Sequence, residues 1–282
     1  MKVLVFGGSG RLGQAIKRFC IKKKIECVAL GYKNKSDKQF DLKSKNLNKF
    51  LIKQKPTIII NCVALTDVDF CNKYLDKAYD INVNTVSNLV QAINQSSIKC
   101  KLIHISTDQI YNSLNPKEKN SENKIRLSNN YNITKYLGEL EALKYKKTTI
   151  LRTNFFGNSF LSKKPSYSDF IKKKLIKKEK LKIPNNIYFN PIHIDELVIK
   201  IFMISKKDIF GIYNVGSKDC ISKFIFAKKV AKKYNLDQKY LIPFKSNFQK
   251  HKRPLGTYMC VKKFEDKTKS NLLTIAENLS FL

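Results

Sequence analysis

The sequence predicts an α/β protein built on a doubly wound parallel sheet, with a smaller, partly interleaved C-terminal lobe. Two observations support this fold class. Short apolar runs rich in β-branched residues recur along the chain, and amphipathic segments with apolar residues three and four apart lie between them. Such alternation implies parallel strands joined by right-handed crossovers. The length of 282 residues suits one large domain or two intimately packed domains.

The first predicted element is a buried strand at residues 2–6, which glycines end before an amphipathic helix begins. Strand, glycine turn and helix together are typical of a dinucleotide-binding (Rossmann) fingerprint, here spaced G-x-x-G-x-x-G. Gly7 would permit the tight turn, Gly10 would let the backbone approach a pyrophosphate, and Gly13 would let the helix pack on the strand. The alternative is an ordinary structural turn. The fingerprint favours a nucleotide-binding domain over 1–153, with a later contribution from about 190–217, and a mainly substrate-binding lobe over 154–282.

The end of the second predicted strand, residues 27–30, bears on the choice of cofactor. An acidic residue there would bind the ribose 2′-hydroxyl of NAD. This chain has Gly31 instead, followed by Lys33 and Lys35, whose charges could meet a 2′-phosphate. NADP(H) is therefore the preferred cofactor, and NAD(H) remains an alternative.

The next elements continue the alternation. Residues 40–42 predict a short third strand that places Asp41 against the adenine, and residues 57–61 predict a buried strand followed by Ala64 beside the cofactor. Residues 75–97 predict one long helix.

The fifth predicted strand, residues 102–106, leads to Thr107 at the carboxyl end of the sheet, where ligands bind in such folds. After a polar loop, a helix opens at Tyr131 with Lys135 four residues later on the same face. A nearby cation lowers the pKa of a phenol, which would make Tyr131 a proton donor near neutral pH. The alternative is a solvated helical face. The remaining predicted elements are a strand at 148–153, a helix at 166–176, a helix after 197, a strand at 211–215 and a helix at 222–234.

The formal net charge of +33 raises binding to nucleic acid or an acidic membrane surface as a rival function. Only five basic residues are arginines, and the lysines are spread along the whole chain, so neither partner is expected. No apolar run is long enough to span a bilayer, and a cytoplasmic location is expected. The seven scattered cysteines contain no C-x-x-C, which favours free thiols, and no metal site is expected.

Six motifs follow one another from end to end: GGSGRLG (7–13), STD (106–108), YNITKYLGE (131–139), LRT (151–153), NPIHIDEL (190–197) and RPLGT (253–257). In these motifs the chain resembles the extended short-chain dehydrogenase/reductases, most closely the dTDP-4-dehydrorhamnose reductase group of nucleotide-sugar 4-ketoreductases. The resemblance implies NADPH-dependent reduction of the 4-keto group of a nucleotide-linked 6-deoxysugar, in deoxysugar and surface polysaccharide biosynthesis.

The resemblance also implies roles for individual residues. Thr107 would donate a hydrogen bond to the 4-keto oxygen, Tyr131 would donate the proton, and Lys135 would tune Tyr131 and hold the nicotinamide ribose. The residues predicted to contact the cofactor are Gly7, Gly10, Arg11, Leu12, Gly13, Lys33, Lys35, Asp41, Leu42, Ala64, Tyr131 and Lys135. The residues predicted to contact the substrate are Thr107, Asp108, Asn154, Phe155 and Arg253.

The chain departs from the family pattern in two places. An aromatic-rich RTSWVY-like stretch is replaced by RTNFF at 152–156, so sugar packing would differ. The acidic residue linked to a metal-bridged dimer is replaced by Gln14-Ala15, which leaves a homodimer open and puts a metal bridge in doubt.

Two alternatives to reduction stay open: a related nucleotide-sugar epimerase, or a non-catalytic NADP-binding regulatory subunit. Gln109 stands where a 4,6-dehydratase needs a glutamate base. A structural role is the favoured interpretation of His193. Arg253 suits either a substrate diphosphate or the surface.

Overall fold

A seven-stranded sheet forms the centre of the fold in the computed structural model, which describes residues 1–31, 37–157, 165–247 and 254–282. The strands of this sheet are β1 Lys2–Phe6, β2 Glu26–Gly31, β3 Lys38–Gln39, β4 Ile58–Asn61, β5 Lys101–Thr107, β6 Thr148–Thr153 and β11 Gly211–Val215. Their order across the sheet is β11-β6-β5-β4-β1-β2-β3, and pairing is parallel from β3 through β2, β1 and β4 to β5. The predicted doubly wound α/β class is confirmed.

Helices flank the sheet because the strands between them are apolar on both faces. Val3, Leu4 and Val5 of β1 are fully buried, as a parallel strand covered on both sides requires. The helices are α1 Arg11–Lys22, α2 Leu47–Gln54, α3 Val68–Lys73, α4 Leu75–Tyr79, α5 Thr85–Ser96, α6 Asn130–Leu143, α7 Tyr167–Ile176, α8 Ile194–Ser205, α9 Lys223–Lys233, α10 Lys262–Thr268 and α11 Ile275–Ser280. Within the described ranges, none of them combines the length and the hydropathy needed to cross a bilayer.

The described chain divides into two compact units. The first contains residues 1–107, 129–152 and 198–213, and its core packs sheet residues such as Leu4 and Leu102 against Val86 and Leu89 of α5. The second contains 108–128, 153–197 and 214–282, with a core in which Phe156, Phe189 and Phe226 make edge-on contacts. The domain boundaries expected from the sequence stay a prediction.

The second unit carries three two-stranded sheets. β7 Phe155–Phe156 pairs in parallel with β10 Ile192–His193, and β8 Leu181–Pro184 pairs in parallel with β13 Leu241–Phe244. β9 Tyr188–Phe189 pairs antiparallel with β12 Ile221–Ser222.

The predicted third strand at 40–42 is wrong, since β3 occupies Lys38–Gln39 and the chain turns immediately afterwards. The cause is local. A carboxylate oxygen of Asp41 accepts a hydrogen bond from the backbone N–H of Lys43 at 2.9 Å, and the carbonyl of Asp41 accepts one from Ser44 at 3.0 Å. An aspartate that bonds the backbone two residues on favours a turn over a strand.

The helix predicted at 75–97 agrees with the structure in extent, since the chain is helical from Leu75 to Ser96, but a π-helical turn that was not predicted, Asp80–Asn84, lies between α4 and α5. Asn82 lies in this turn and is fully buried. Its side chain accepts from the backbone N–H of Leu65 at 2.8 Å and donates to the hydroxyl of Thr134 at 3.1 Å. The turn approaches α6 so closely that a Cβ at Gly138 would lie 2.2 Å from the carbonyl oxygen of Asn82. The spacing of apolar residues in the sequence does not predict a backbone contact of this kind.

Candidate active site

The glycine loop between β1 and α1 is packed backbone against backbone. Gly7 has φ +78°, and a Cβ there would lie 2.8 Å from the carbonyl carbon of Cys62. A Cβ at Gly13 would lie 2.4 Å from the carbonyl oxygen of Gly7. Gly10, the N-cap of α1, has no side chain with which to cap the helix. The backbone N–H groups at such a helix start can bind an anion such as a pyrophosphate.

A cavity of about 570 Å³ opens beside this loop, at the carboxyl ends of β1, β2 and β4. Five of the predicted cofactor residues line it: Gly7, Gly10, Asp41, Leu42 and Ala64. Arg11, Leu12 and Gly13 are outside its lining. Lys33, Lys35 and Arg253 lie outside the described residues.

Several lining residues were missed by the sequence reasoning, among them Cys62 and Val63 after β4, Lys43 after β3 and Thr85 of α5. The position of Cys62 and Val63 directly after a buried strand was a usable signal, because ligands collect at strand ends. Lys43 was missed because a strand was predicted at 40–42, where the chain in fact turns. Thr85 was missed because it directly follows the π-helical turn, which was not predicted.

Lys135 lies inside the first unit. Asn129 caps α6 by accepting from the backbone N–H of Asn132 at 3.0 Å, so α6 begins just before Tyr131. The Nζ of Lys135 donates to the carbonyl of Ile105 in β5 at 2.9 Å, and the residue is only 2% exposed. Burial lowers the pKa of Lys135 to about 8, against opposing effects of Glu139 and Cys62.

Tyr131 and Thr107 belong to the same unit as Lys135. Tyr131 is buried and packs in a cluster with Val68, Cys71 and Ala78. Thr107 is the last residue of β5, two positions after the carbonyl that holds Lys135. These three residues are outside the lining of the 570 Å³ cavity. Cys62 lines that cavity and lies in electrostatic range of Lys135, which connects the two regions of the unit.

Asp108 and Asn154, both predicted to contact substrate, meet in the second unit. One carboxylate oxygen of Asp108 accepts from the amide of Asn154 at 2.8 Å and from the hydroxyl of Thr257 at 2.6 Å. Phe155 follows in β7 and is half-buried. Thr257 was missed as a single residue, although the RPLGT motif contains it.

His193 fits the structural interpretation. Its backbone N–H donates to the side chain of Asn278 at 2.8 Å, and its ring stacks on Phe281 with centroids 5.2 Å apart. It is 1% exposed.

The family model described as "RmlD substrate binding domain" matches residues 1–280. Over 246 residues the chain is 28% identical to the spore coat polysaccharide biosynthesis protein SpsK of Bacillus subtilis, covering 84% of this chain and 80% of that protein. It is 25% identical over 240 residues to the dTDP-4-dehydrorhamnose reductase of Aggregatibacter actinomycetemcomitans, with coverages of 80% and 76%. It is 24% identical over 257 residues to the methionine adenosyltransferase 2 subunit beta of Danio rerio, with coverages of 86% and 76%.

Solved structures share the fold over the whole chain. A hypothetical dTDP-4-dehydrorhamnose reductase from Sulfolobus tokodaii is 27% identical, with a TM-score of 0.84 and coverages of 100% and 99%. The dTDP-4-dehydrorhamnose reductase of Bacillus anthracis in complex with NADP is 21% identical, with a TM-score of 0.87 and coverages of 99% and 98%. At 21% identity the second likeness concerns the fold alone.

Replacing Lys135 by methionine tests the energetic cost of its burial. The folded pKa of about 8 lies below the ordinary 10.5, a difference that corresponds to a cost of about 3 kcal/mol for burying the charged form. Because the folded pKa is depressed, this cost is fully present below about pH 8 and disappears as pH approaches 10.5. We expect Lys135→Met to unfold at an equal or higher temperature than the unmodified chain at pH 7.

Lys228→Met, at an exposed position of α9, is the matched control and is expected to change the unfolding temperature little. Thermal unfolding followed by circular dichroism at pH 7 and pH 10 measures both variants. A strong destabilisation of Lys135→Met at pH 7 would show that the contacts of the ammonium outweigh the cost of its burial.

Proposed function

Because the chain belongs to the family described as RmlD substrate binding domain, we propose that it reduces the 4-keto group of a nucleotide-linked 6-deoxy-4-ketosugar with NADPH. The family match confirms the resemblance to the extended short-chain dehydrogenase/reductases, and with it the predicted class of nucleotide-sugar oxidoreductases that use a nicotinamide cofactor. The exact sugar, the preference for NADPH and the roles of single residues are parts of the proposal.

One observation carries the proposal: the hydrogen bond from Lys135 to the carbonyl of Ile105. It ties the helix that bears Tyr131 to the strand that ends at Thr107. The three residues that the resemblance assigns to chemistry are thereby attached to two packed elements of one unit. Rigid elements position reacting groups more accurately than free loops do.

The glycine loop fits a dinucleotide. A Cβ at Gly7 or Gly13 would collide with neighbouring backbone, so these glycines keep the loop tight against the sheet. The backbone N–H groups at the start of α1 and the adjacent cavity would then receive the diphosphate. Asp41, Leu42 and Ala64 would hold the adenosine portion. When bound, the cofactor supplies the hydride.

The chain's own residues would orient the sugar and supply the proton. The hydroxyl of Thr107 donates a hydrogen bond to the 4-keto oxygen, which polarises the carbonyl. The phenol of Tyr131 donates its proton to the same oxygen as the alkoxide develops, and the charge of Lys135 favours that transfer by stabilising the phenolate. Asp108 and Asn154 are further proposed substrate contacts; in the second unit the carboxylate of Asp108 accepts hydrogen bonds from Asn154 and Thr257.

A regulatory subunit is the second candidate, favoured by the similarity to the methionine adenosyltransferase 2 subunit beta of Danio rerio. A chain in this role would bind the nicotinamide cofactor and act by docking on another enzyme. A panel of dTDP-, UDP- and GDP-linked 4-keto-6-deoxysugars separates the two functions. Oxidation of NADPH with any of these sugars supports the reductase. If NADPH binds but is not oxidised with any of them, the result supports the regulatory subunit.

The proposed setting is the cytoplasm, with a nucleotide sugar as the substrate and a homodimer as the assembly. All seven cysteines are free, as a reducing compartment favours.

Tyr131→Phe tests the assignment of the proton donor. The change removes only a hydroxyl, so NADPH affinity should change little, while turnover should fall by the roughly 10²–10⁴-fold typical of lost acid catalysis. Tyr79→Phe, at a tyrosine that is 43% exposed, is the control and should keep full activity. Equal turnover of Tyr131→Phe and the unmodified enzyme, measured by loss of NADPH absorbance, would remove Tyr131 from the chemistry.

The double variant Lys33→Glu/Lys35→Glu tests the preference for NADPH. Two acidic groups would repel a 2′-phosphate, so the ratio of kcat/KM for NADPH to that for NADH should fall while the maximal rate stays similar. Lys228→Glu/Lys229→Glu, at two exposed positions, makes the same change in net charge and should leave the ratio unchanged. An identical ratio in both double variants would contradict the role of Lys33 and Lys35.

A further inference from the structure

Two helices of the second unit, α7 and α9, pack side by side over one core. The ring of Tyr167, the first residue of α7, stacks on that of Phe226 near the start of α9, with centroids 5.8 Å apart. Further along, the Nζ of Lys172 lies 3.8 Å from the ring centroid of Tyr234, the C-cap of α9. The helices therefore run in the same direction. Both contribute their buried residues to the same hydrophobic core, so their opposite faces point away from that core together.

These outward faces carry exposed lysines at helical spacing. Two lysines of α7 are four positions apart, and three of α9 are separated by one, three and four positions, which brings them to the side opposite the buried residues. We call these five lysines the basic face: Lys173, Lys177, Lys228, Lys229 and Lys232. Lysines that are spread along the sequence are thus gathered by folding on two adjacent helices.

Acidic side chains leave the basic face largely uncompensated. α9 contains no aspartate or glutamate. On α7, Asp169 is held in the capping box with Ser166, and Glu179, just beyond the helix, pairs with Lys174. Among the residues that the structure describes, no carboxylate forms an ion pair with a lysine of the basic face. The face therefore offers its charge to an external anionic partner.

Three large apolar side chains are exposed among these lysines. Phe170 is 37% exposed, Ile176 58% and Ile225 41%. Each stands three positions from a lysine of the basic face, a spacing that places the two side chains on one side of a helix. Lysines with interspersed apolar groups are typical of helices that lie on a membrane, where the charges meet anionic headgroups and the apolar groups enter the boundary of the acyl chains.

The same helices lack the features of a nucleic-acid surface. Bidentate recognition of bases and phosphates relies on arginine, and neither α7 nor α9 contains an arginine. A lipid surface is therefore the anionic partner that this combination of side chains fits better.

We propose that the basic face docks the protein on an anionic lipid bilayer, with Phe170, Ile176 and Ile225 entering the headgroup boundary. Each lysine near such a surface strengthens binding by roughly fivefold, and the attraction falls off within about 10 Å, so the two helices must lie along the bilayer. The docking is peripheral and reversible. It goes beyond the proposed function, since neither the cofactor cavity nor Lys135 takes part in it.

Sedimentation with lipid vesicles at physiological salt tests this docking. The purified full chain is expected to sediment with vesicles made of equal parts phosphatidylcholine and phosphatidylglycerol, and to stay in solution with phosphatidylcholine alone. The face variant, Lys173→Gln/Lys177→Gln/Lys228→Gln/Lys232→Gln, should bind the anionic vesicles at least about tenfold more weakly. Its four substitutions are at exposed positions, so circular dichroism should show an unchanged fold.

The matched control removes four exposed lysines from the first unit: Lys22→Gln/Lys23→Gln/Lys49→Gln/Lys53→Gln. It makes the same change in net charge as the face variant. If the lipid is bound by the basic face, the control variant should bind the anionic vesicles about as tightly as the unmodified chain.

An introduced tryptophan reports the apolar part of the contact, even if the face variant fails to fold. The chain contains no tryptophan, so the fluorescence of Ile176→Trp comes from one position. Its emission should shift to shorter wavelength with the anionic vesicles and should be quenched by brominated lipid. Ile21→Trp, at a 67% exposed position of α1, is the control and should show neither effect.

Three results would overturn the docking: no sedimentation of the unmodified chain with anionic vesicles, equal weakening in the face and control variants, or an unchanged emission of Ile176→Trp. Tighter binding to single-stranded polyuridylate than to the vesicles, with the same dependence on the face variant, would assign the surface to nucleic acid and also reject the lipid. Vesicle binding needs neither cofactor nor sugar, so its outcome is independent of the reductase assignment.

Discussion

The burial of one lysine ammonium constrains how α6 packs on β5 in the first unit. An isolated charge in a protein interior is costly, so Lys135 requires partners held in fixed positions. The carbonyl of Ile105 provides one at 2.9 Å, and Glu139 provides a negative charge on the same helix. The hydrogen bond to Ile105 forms only if α6 packs on β5 so that the Nζ of Lys135 reaches this carbonyl. The helix and the strand end that bear Tyr131 and Thr107 are positioned by the same condition.

The second constraint is the closeness of backbone at the glycine loop. Gly13 touches the backbone of Gly7, and Gly7 touches the chain directly after β4, at distances that no side chain could share. This contact shapes the cavity between the ends of β1, β2 and β4. Cys62 belongs to both regions, since it lines the cavity and lies in electrostatic range of Lys135. Cofactor binding and proton donation would therefore depend on one set of strand ends.

Local patterns predicted the parts of the fold that local forces determine. The strand at 2–6, the strand at 148–153 and the start of α6 before Tyr131 agree with the structure, because buried strands and capped amphipathic helices are visible in a short window. The strand at 40–42 failed because the side chain of Asp41 forms a turn. The π-helical turn inside the long helix was not predicted; Asn82 in this turn bonds Leu65 and Thr134, which are distant in the sequence.

The same distinction applies to the candidate site. Thr107, Tyr131 and Lys135 were predicted as site residues from motifs and spacing, whereas Thr257 meets Asp108 across 149 positions of the chain. Glu139 and Arg152 stood inside recognised motifs, but only the structure shows that they pair with each other. Contacts between distant segments follow from the folded topology, and periodicity within one segment does not encode them.

Transfer of deuterium from labelled NADPH tests the central claim most directly. The purified protein would be given NADPH carrying deuterium on one or the other face of nicotinamide C4, together with a nucleotide-linked 4-keto-6-deoxysugar. Mass spectrometry and NMR would then locate the label in the product. If the protein is a 4-ketoreductase, one of the two labelled cofactors places a single deuterium on C4 of the sugar. Absence of label at C4 with both cofactors, despite bound NADPH and a full set of sugars, would contradict the account.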